Sequence, residues 1–346
     1  MRALALALLI ALAACAPRAD GNARVLTYAS PYAPGHPFSR ADRIWIKYVE
    51  AHSAGRLKIK PYWSGVLLSS DQSMEEVRHG VADIGLITPI YERGGAHLLR
   101  DQSGYYGGVR SMEDQVAIYK CLGAEFPEFA AELEGLHVLA VQGGNFPGVL
   151  TRTRPVRTLA DFRGLRLRAP AELTGVLRQL GADPVDMPMS QVYSAMSKNV
   201  IDGVVAPTDT LKSLHFGEIA HYYSTLHVPR GAYPARAMAL AAWKSLPPDL
   251  QAVLDDSAAV WERALAQELD RAAKSGAAYG RQAGIAFAPF DSADQARFDA
   301  LYNASALANA RALKEVGIDG EPVFRRAQAL IHAGAGVLAS CGEGKP

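Results

Sequence analysis

The sequence predicts an α/β fold built as two interleaved lobes, and three observations carry that expectation. At 346 residues the chain is longer than one hydrophobic core commonly organises. Strand-like and helix-like segments alternate from Val25 to Ile87 and again from Leu136 to Ala206, an order that favours parallel sheets covered by helices. No low-complexity linker or short repeat separates the two blocks, so the lobes are expected to share the chain rather than follow one another. The expected division places residues 25–145 with about 234–273 in lobe I, and 146–233 with about 274–335 in lobe II. Residues 1–14 form a leader, 15–24 a tether and 336–346 a tail.

The elements follow in order. Val25–Ala29 is a buried strand stopped by Ser30-Pro31 and the Pro34-Gly35 turn. Ile44, Ile46, Tyr48 and Val49 mark a helix over Phe38–Ala51, ended by Gly55. Leu57–Trp63 alternates as a strand. Ser73–Gly80 is a short helix whose Glu75 and Glu76 suit its N-terminal dipole, and Ala82–Ile87 is a third strand. In the second block Leu136–Gln142, Val149–Thr151, Leu165–Arg168 and Ile201–Ala206 read as strands. Thr158–Phe162 reads as a helical turn, and Ala171–Leu180 and Val192–Lys198 as helices. In Leu165–Arg168 the two leucines and two arginines must face opposite ways. A long helical stretch opens at Pro247-Pro248 and runs to about Gly280, alanine-rich with proline in its first turn. Helices near Ala293–Val316 and Glu321–Ala333 close the chain.

Composition narrows the function. Hydrophobic residues make up 49% and charged residues 21%, as in globular domains. A formal charge of +1 supplies no surplus for a polyanion, so nucleic acid is not an expected partner. No apolar run reaches the roughly 18 residues of a membrane-spanning helix. Arg2 followed by the small apolar stretch Ala3–Ala14 reads as an export signal. Its end, Leu12-Ala13-Ala14-Cys15, resembles the bacterial lipobox, which predicts cleavage before Cys15, acylation of its thiol and a lipid-anchored protein outside the cytoplasm. An ordinary signal with Cys15 incidental is the alternative. Cys121 and Cys341 then remain as a candidate disulfide or as two buried thiols. The nine histidines are scattered and no Cys-x-x-Cys occurs, so neither a metal nor a cofactor is expected. No nucleophile elbow, Walker loop, His-Glu-x-x-His or Gly-x-Gly-x-x-Gly is present, which argues against an enzyme. Asp83, Asp202 and Asp209 are the carboxylates an enzyme reading would use.

Several separated stretches give the chain a more specific likeness. Gly35-His36-Pro37 follows the first strand, and Gly80-Val81-Ala82-Asp83-Ile84-Gly85 opens the third. Arg154-Pro155-Val156, Asp161-Phe162-Arg163-Gly164-Leu165 and Arg168-Ala169-Pro170 come next. They are followed by Leu180–Val185, Gln191–Ala195 and Val200-Ile201-Asp202-Gly203. In this order and spacing they resemble the solute receptors of TRAP transporters, in their dicarboxylate-receptor branch. The resemblance runs from about Val25 to Pro322. It implies a periplasmic-binding-protein-like fold whose two lobes close on a ligand, a long helix spanning both, and delivery of a small organic carboxylate to the membrane subunits of a TRAP-type transporter. It also implies that Arg168 grips the carboxylate. The residue itself agrees: arginine offers a planar fork that matches a carboxylate, at a strand end where α/β sheets place their sites.

Against the sialic-acid-type members of that family the chain departs at several pocket positions. Gly148 stands for a second ligand arginine, Thr88 for a Glu, Met189 for a Phe, Ala206 for an Asn, and Pro31 lies at the first strand's end. These changes remove polar groups, so an apolar or aromatic monocarboxylate is expected rather than a sugar acid. Tyr32, Tyr91, Asn145, Phe146, Thr208 and Asp209 are further candidates from strand ends and their loops. Met187 could join Met189 in a pocket wall, and His36 shapes a loop. Tyr222, Tyr223 and Tyr233 flank the crossover between lobes and read as hinge packing. The rival to the receptor is an acylated lipoprotein that uses the same fold for a lipid or other apolar ligand. A long open apolar cavity would mark it, whereas a small closed one holding Arg168 marks the receptor.

Overall fold

Two sheets account for all eleven strands of the computed structural model, which describes residues 23–334. Cys15 and Cys341 lie outside that range; Cys121 is buried and disulfide-bonded. In the first sheet β1 (Arg24–Ala29) pairs in parallel with β2 (Leu57–Tyr62) and β3 (Ile84–Leu86). β4 (Leu136–Gln142) lies at the far edge of the same sheet. The second sheet holds β5 (Gly148–Thr151), β6 (Arg166–Arg168), β7 (Asp183–Val185), β8 (Gly203–Ala206) and β9 (Tyr222–Ser224). β10 (Tyr233–Ala239) returns to the first sheet, and β11 (Ala286–Ala288) completes the second.

The parallel pairing expected from the element order holds for β1 with β2 and β3 and for β6 with β7 and β8, and each sheet also carries an antiparallel strand. β10 inserts antiparallel between β3 and β4, and β5 inserts antiparallel between β8 and β9. Both strands follow a crossing between lobes, at residues 143–147 and 225–232. A chain that arrives from the other lobe enters the sheet from the opposite end, which sets its direction. This is how the lobes come to be interleaved.

A repeated device fixes the parallel part of each sheet. The Asp83 carboxylate, just before β3, accepts from the Thr27 backbone N–H and hydroxyl on β1, both at 2.7 Å. The Asp202 carboxylate, just before β8, accepts from the Arg166 N–H on β6 at 2.8 Å. These aspartates therefore satisfy backbone donors that would otherwise stand at an open strand end.

The long helical stretch is two helices, Pro248–Asp256 and Ala258–Gln282, broken at Ser257. Ser257 donates back to the Leu254 carbonyl at 2.5 Å and accepts from the Trp45 indole at 2.6 Å. Trp261, Leu265 and Leu269 of the second helix bury into the first lobe beside Trp45 and Val49 of the Pro37–His52 helix. Its last turns lie on the second lobe. A Cβ on Gly276 would stand 2.2 Å from the Thr208 carbonyl, so only glycine lets helix and loop touch there.

The C-terminal elements differ from the expected division. Phe298 and Tyr302 of the Ser292–Ala312 helix enter the second lobe's core, but Ala306 and Ala310 enter the first. The Gly320–Ala333 helix packs on the first lobe. There Arg326 forks onto Glu125 at 2.6 and 2.7 Å, and Phe324 meets Tyr105 edge-on.

Candidate functional site

Leu167 is buried in the second lobe's core, and strand alternation puts Arg166 and Arg168 together on the opposite face, where Arg166 is exposed but Arg168 is covered by neighbouring groups. Arg168 ends β6 and is 2% exposed. Its Nε donates to the Met187 carbonyl at 2.9 Å, which fixes the plane of the guanidinium. Its Nη2 donates to the Tyr91 hydroxyl at 2.9 Å. Tyr91 lies in the short Pro89–Tyr91 turn after β3, so this bond joins the two lobes. The guanidinium carbon also stands 5.5 Å from the Tyr91 ring centre. Among the described residues Arg168 has no carboxylate at ion-pair distance; its bonds are to neutral oxygens.

The gap beside this guanidinium is a cavity of ≈ 70 Å³. The second lobe supplies apolar walls through Pro147, Leu173, Met189, Val205 and Pro207, and the first lobe supplies Ile90, Tyr91 and Tyr233. The 225–232 crossover closes the remaining side with Val228, Pro229, Arg230 and Gly231. Glu172 also reaches the cavity; burial pushes its carboxyl up to about 7, against the opposing pull of Arg168. Burial likewise pushes the Tyr233 hydroxyl up to about 12, so it stays protonated and can bond either way.

Of the twelve ligand-contact candidates, Arg168, Tyr91 and Met189 come together around this cavity. Tyr32 lies close by: its ring stacks on His36 at 4.2 Å, and its hydroxyl feels Tyr91, Tyr233, Arg230 and Arg168. Pro31 is not part of the lining. Two of the candidates lie one residue away from the lining. Gly148 and Ala206 face each other as a cross-strand pair inside the second sheet, whereas Pro147 and Pro207 line the cavity. A Cβ at Gly148 would stand 2.3 Å from the Ser224 carbonyl, so the sheet itself requires that glycine. Thr88 is not part of the lining: its hydroxyl bonds the Ser70 carbonyl and Ser73.

The other candidates form the frame that joins the lobes. Asn145, in the first crossover, donates both to Asp209 at 3.0 Å and to the Leu269 carbonyl of the spanning helix at 3.0 Å. The Thr208 hydroxyl reaches the Ala273 carbonyl of the same helix at 3.3 Å. Phe146 packs on His227, with ring centres 4.6 Å apart. His36 caps the Pro37–His52 helix, accepting from the Phe38 N–H at 3.3 Å. Met187 serves through its carbonyl. Tyr222 and Tyr223 pair within the second sheet, whereas Tyr233, read as hinge packing, borders the cavity. The three carboxylates of the enzyme reading, Asp83, Asp202 and Asp209, are all held by structural donors. Glu172 and Arg230 were not foreseen. The pattern Val228-Pro229-Arg230-Gly231, a charge between rigid and bare residues, was the one sequence signal for Arg230.

Comparison with known proteins agrees with this geometry. The model of the family described as bacterial extracellular solute-binding protein, family 7, matches residues 29–308. A solute-binding protein of Roseobacter denitrificans is 33% identical over 36% of this chain and 37% of its own length. The 2,3-diketo-L-gulonate-binding periplasmic protein of Escherichia coli is 26% identical over 61% of this chain and 64% of its own. The chain thus spans less than two thirds of these curated relatives. Solved structures cover more. A TRAP solute-binding protein of Rhodoferax ferrireducens, in complex with copurified benzoate, superposes with a TM-score of 0.83 at 23% identity, covering 91% of this chain and 99% of that one. A marine metagenome TRAP solute-binding protein specific for aromatic acids, in complex with metahydroxyphenylacetate, gives 0.80 at 26% identity, covering 89% and 98%.

Proposed function

Since this chain belongs to the bacterial extracellular solute-binding proteins of family 7, we propose that it is a receptor that closes its two lobes on a small organic carboxylate and presents it to the membrane subunits of a TRAP-type transporter. The observation that carries this reading is Arg168, a nearly buried guanidinium without an acidic partner at ion-pair distance, set in a cavity between lobes. Desolvating a charge is costly unless an opposite charge meets it. A ligand carboxylate would supply that charge with two parallel hydrogen bonds.

The walls favour an apolar or aromatic monocarboxylate, because proline, valine, leucine and methionine offer a sugar's hydroxyls little to bond. The aromatic acids bound by two structural neighbours support the same class. The cavity is small and carries two arginines, which does not favour a lipid carrier. The Leu12–Cys15 stretch supports a receptor held at a membrane surface by acylated Cys15.

Arg168→Ala tests the reading. Removing one partner of a buried charge pair costs about 2–5 kcal/mol, so affinity for organic acids such as benzoate should fall at least roughly thirtyfold by calorimetry. The far-ultraviolet circular dichroism should stay that of the wild type. Unchanged affinity in a folded variant would refute the role of Arg168.

A further inference from the structure

Arg230 lines the same cavity as Arg168 but comes from the crossover between lobes rather than from a strand end. It is half-buried and, among the described residues, has no carboxylate at ion-pair distance. Its bonds are few: Nη1 reaches the Asn145 carbonyl at 3.5 Å, and its charge lies near the Tyr233 hydroxyl and favours that group's ionised form. That hydroxyl already accepts from Gln142 at 2.7 Å. The buried Asp209 carboxyl feels the Arg230 charge but accepts its hydrogen bond from Asn145. A guanidinium carries five N–H donors in a fixed fork, so most of the fork is left to face the cavity.

The place for this fork is built into the backbone. A Cβ on Gly144 would stand 2.3 Å from the guanidinium carbon and 2.5 Å from its Nε. The Gly143-Gly144 break after β4 therefore exists at the point where the second crossover lays an arginine against the first. The bare backbone at Gly144 lets the guanidinium lie directly against the first crossover while the side chain borders the cavity.

We propose that Arg230 is a second ligand-holding residue, which donates to an oxygen acceptor on the acid's body, away from the carboxylate gripped by Arg168. The proposal rests on the reading of Arg168 as the carboxylate site and revises the ligand class, since a dicarboxylate joins the monocarboxylates. The preferred acid is not a plain hydrocarbon acid: its apolar body carries one further keto, ether, hydroxyl or carboxylate oxygen. Because Arg230 sits on a crossover, this contact also ties the ligand to the segment that bends when the lobes close.

Matched acids that differ only in the second oxygen test it: benzoate against 3-methoxybenzoate, and benzoate against benzene-1,3-dicarboxylate, each titrated calorimetrically into the mature protein. The wild type should bind the oxygen-bearing member of at least one pair about tenfold or more tighter, as a charge-assisted hydrogen bond allows. Arg230→Met should bring that pair to within about threefold, and Gly144→Ala, which displaces the guanidinium without removing it, should move the ratio the same way. Arg230→Gln gives the same comparison if the methionine variant does not fold. A ratio that survives loss of Arg230, or no preference in the wild type while Arg168→Ala abolishes binding of both acids, overturns the second contact and leaves the carboxylate site standing. Binding that survives Arg168→Ala overturns both.

Discussion

Tyr91→Phe isolates the bond by which one lobe holds the other across the site. The substitution removes only the hydroxyl that accepts from Arg168 Nη2 at 2.9 Å. The ring stays, and with it the guanidinium contact at 5.5 Å. Arg168 keeps its orientation through the Met187 carbonyl. In an open form both groups face water and lose little by the change, so the effect falls on the closed form. A hydrogen bond to a charged group contributes about 1.5–3 kcal/mol, which corresponds to a roughly 10- to 150-fold shift toward the open form. Affinity for any acid that needs closure should fall by the same factor. Titration calorimetry reads the affinity, and small-angle scattering of the loaded protein reads the fraction closed. The loss should be smaller than that of Arg168→Ala, which also removes the carboxylate's partner. An affinity within about twofold of the wild type, with full closure, would show that Tyr91 contributes packing alone.

Two further predictions concern what holds the site's frame. Asp42 is fully buried; one oxygen accepts from Arg236 at 2.7 Å and from Trp261 at 2.8 Å, and the other from Tyr28 at 2.6 Å. Asp42→Ala leaves the Arg236 guanidinium buried and unpaired, at a cost of about 3–5 kcal/mol. For a body of this size that lowers Tm by roughly 5–8 °C; a shift under about 2 °C would show that the pair's desolvation nearly cancels its attraction. Glu172 predicts a pH dependence. Its folded value of about 7 lies above the ordinary 4.5, chiefly through burial, so the folded state keeps a proton that the unfolded chain releases. Stability should therefore fall as pH rises from about 4.5 to 7, where the folded carboxyl ionises in turn. Glu172→Gln should match the wild type near pH 4.5 and exceed its Tm above pH 7. Equal melting of the two proteins at both ends would remove Glu172 as the cause.

Where the chain's local chemistry decides a feature, the sequence was enough. β4 and the Pro37–His52 helix follow from apolar periodicity, and Arg168 follows from alternation against Leu167 and an Ala-Pro exit from the sheet. Where direction depends on the route taken between lobes, it was not. β10 carries no mark in its residues of lying antiparallel between β3 and β4, because the crossing before it sets that. Period two also explains the one-residue misses. Val205 and Pro207 share a strand face that lines the cavity while Ala206 turns the other way, so a register slip of one exchanges wall for core.

The same reasoning separates the two arginines. Arg168 belongs to a strand, and its direction is a property of its neighbours. Arg230 belongs to a connection, and it meets the cavity only because Gly144, 86 positions earlier, leaves room for it. Neither residue identifies the site by itself. An anion receptor needs a charge that is desolvated, oriented and left without its own counter-charge, and those are relations between segments far apart in the chain. Specificity is thus expected to change most readily at the crossovers: a substitution there alters a ligand contact without repacking either core, whereas one at β6 disturbs Leu167 and the strand beneath it.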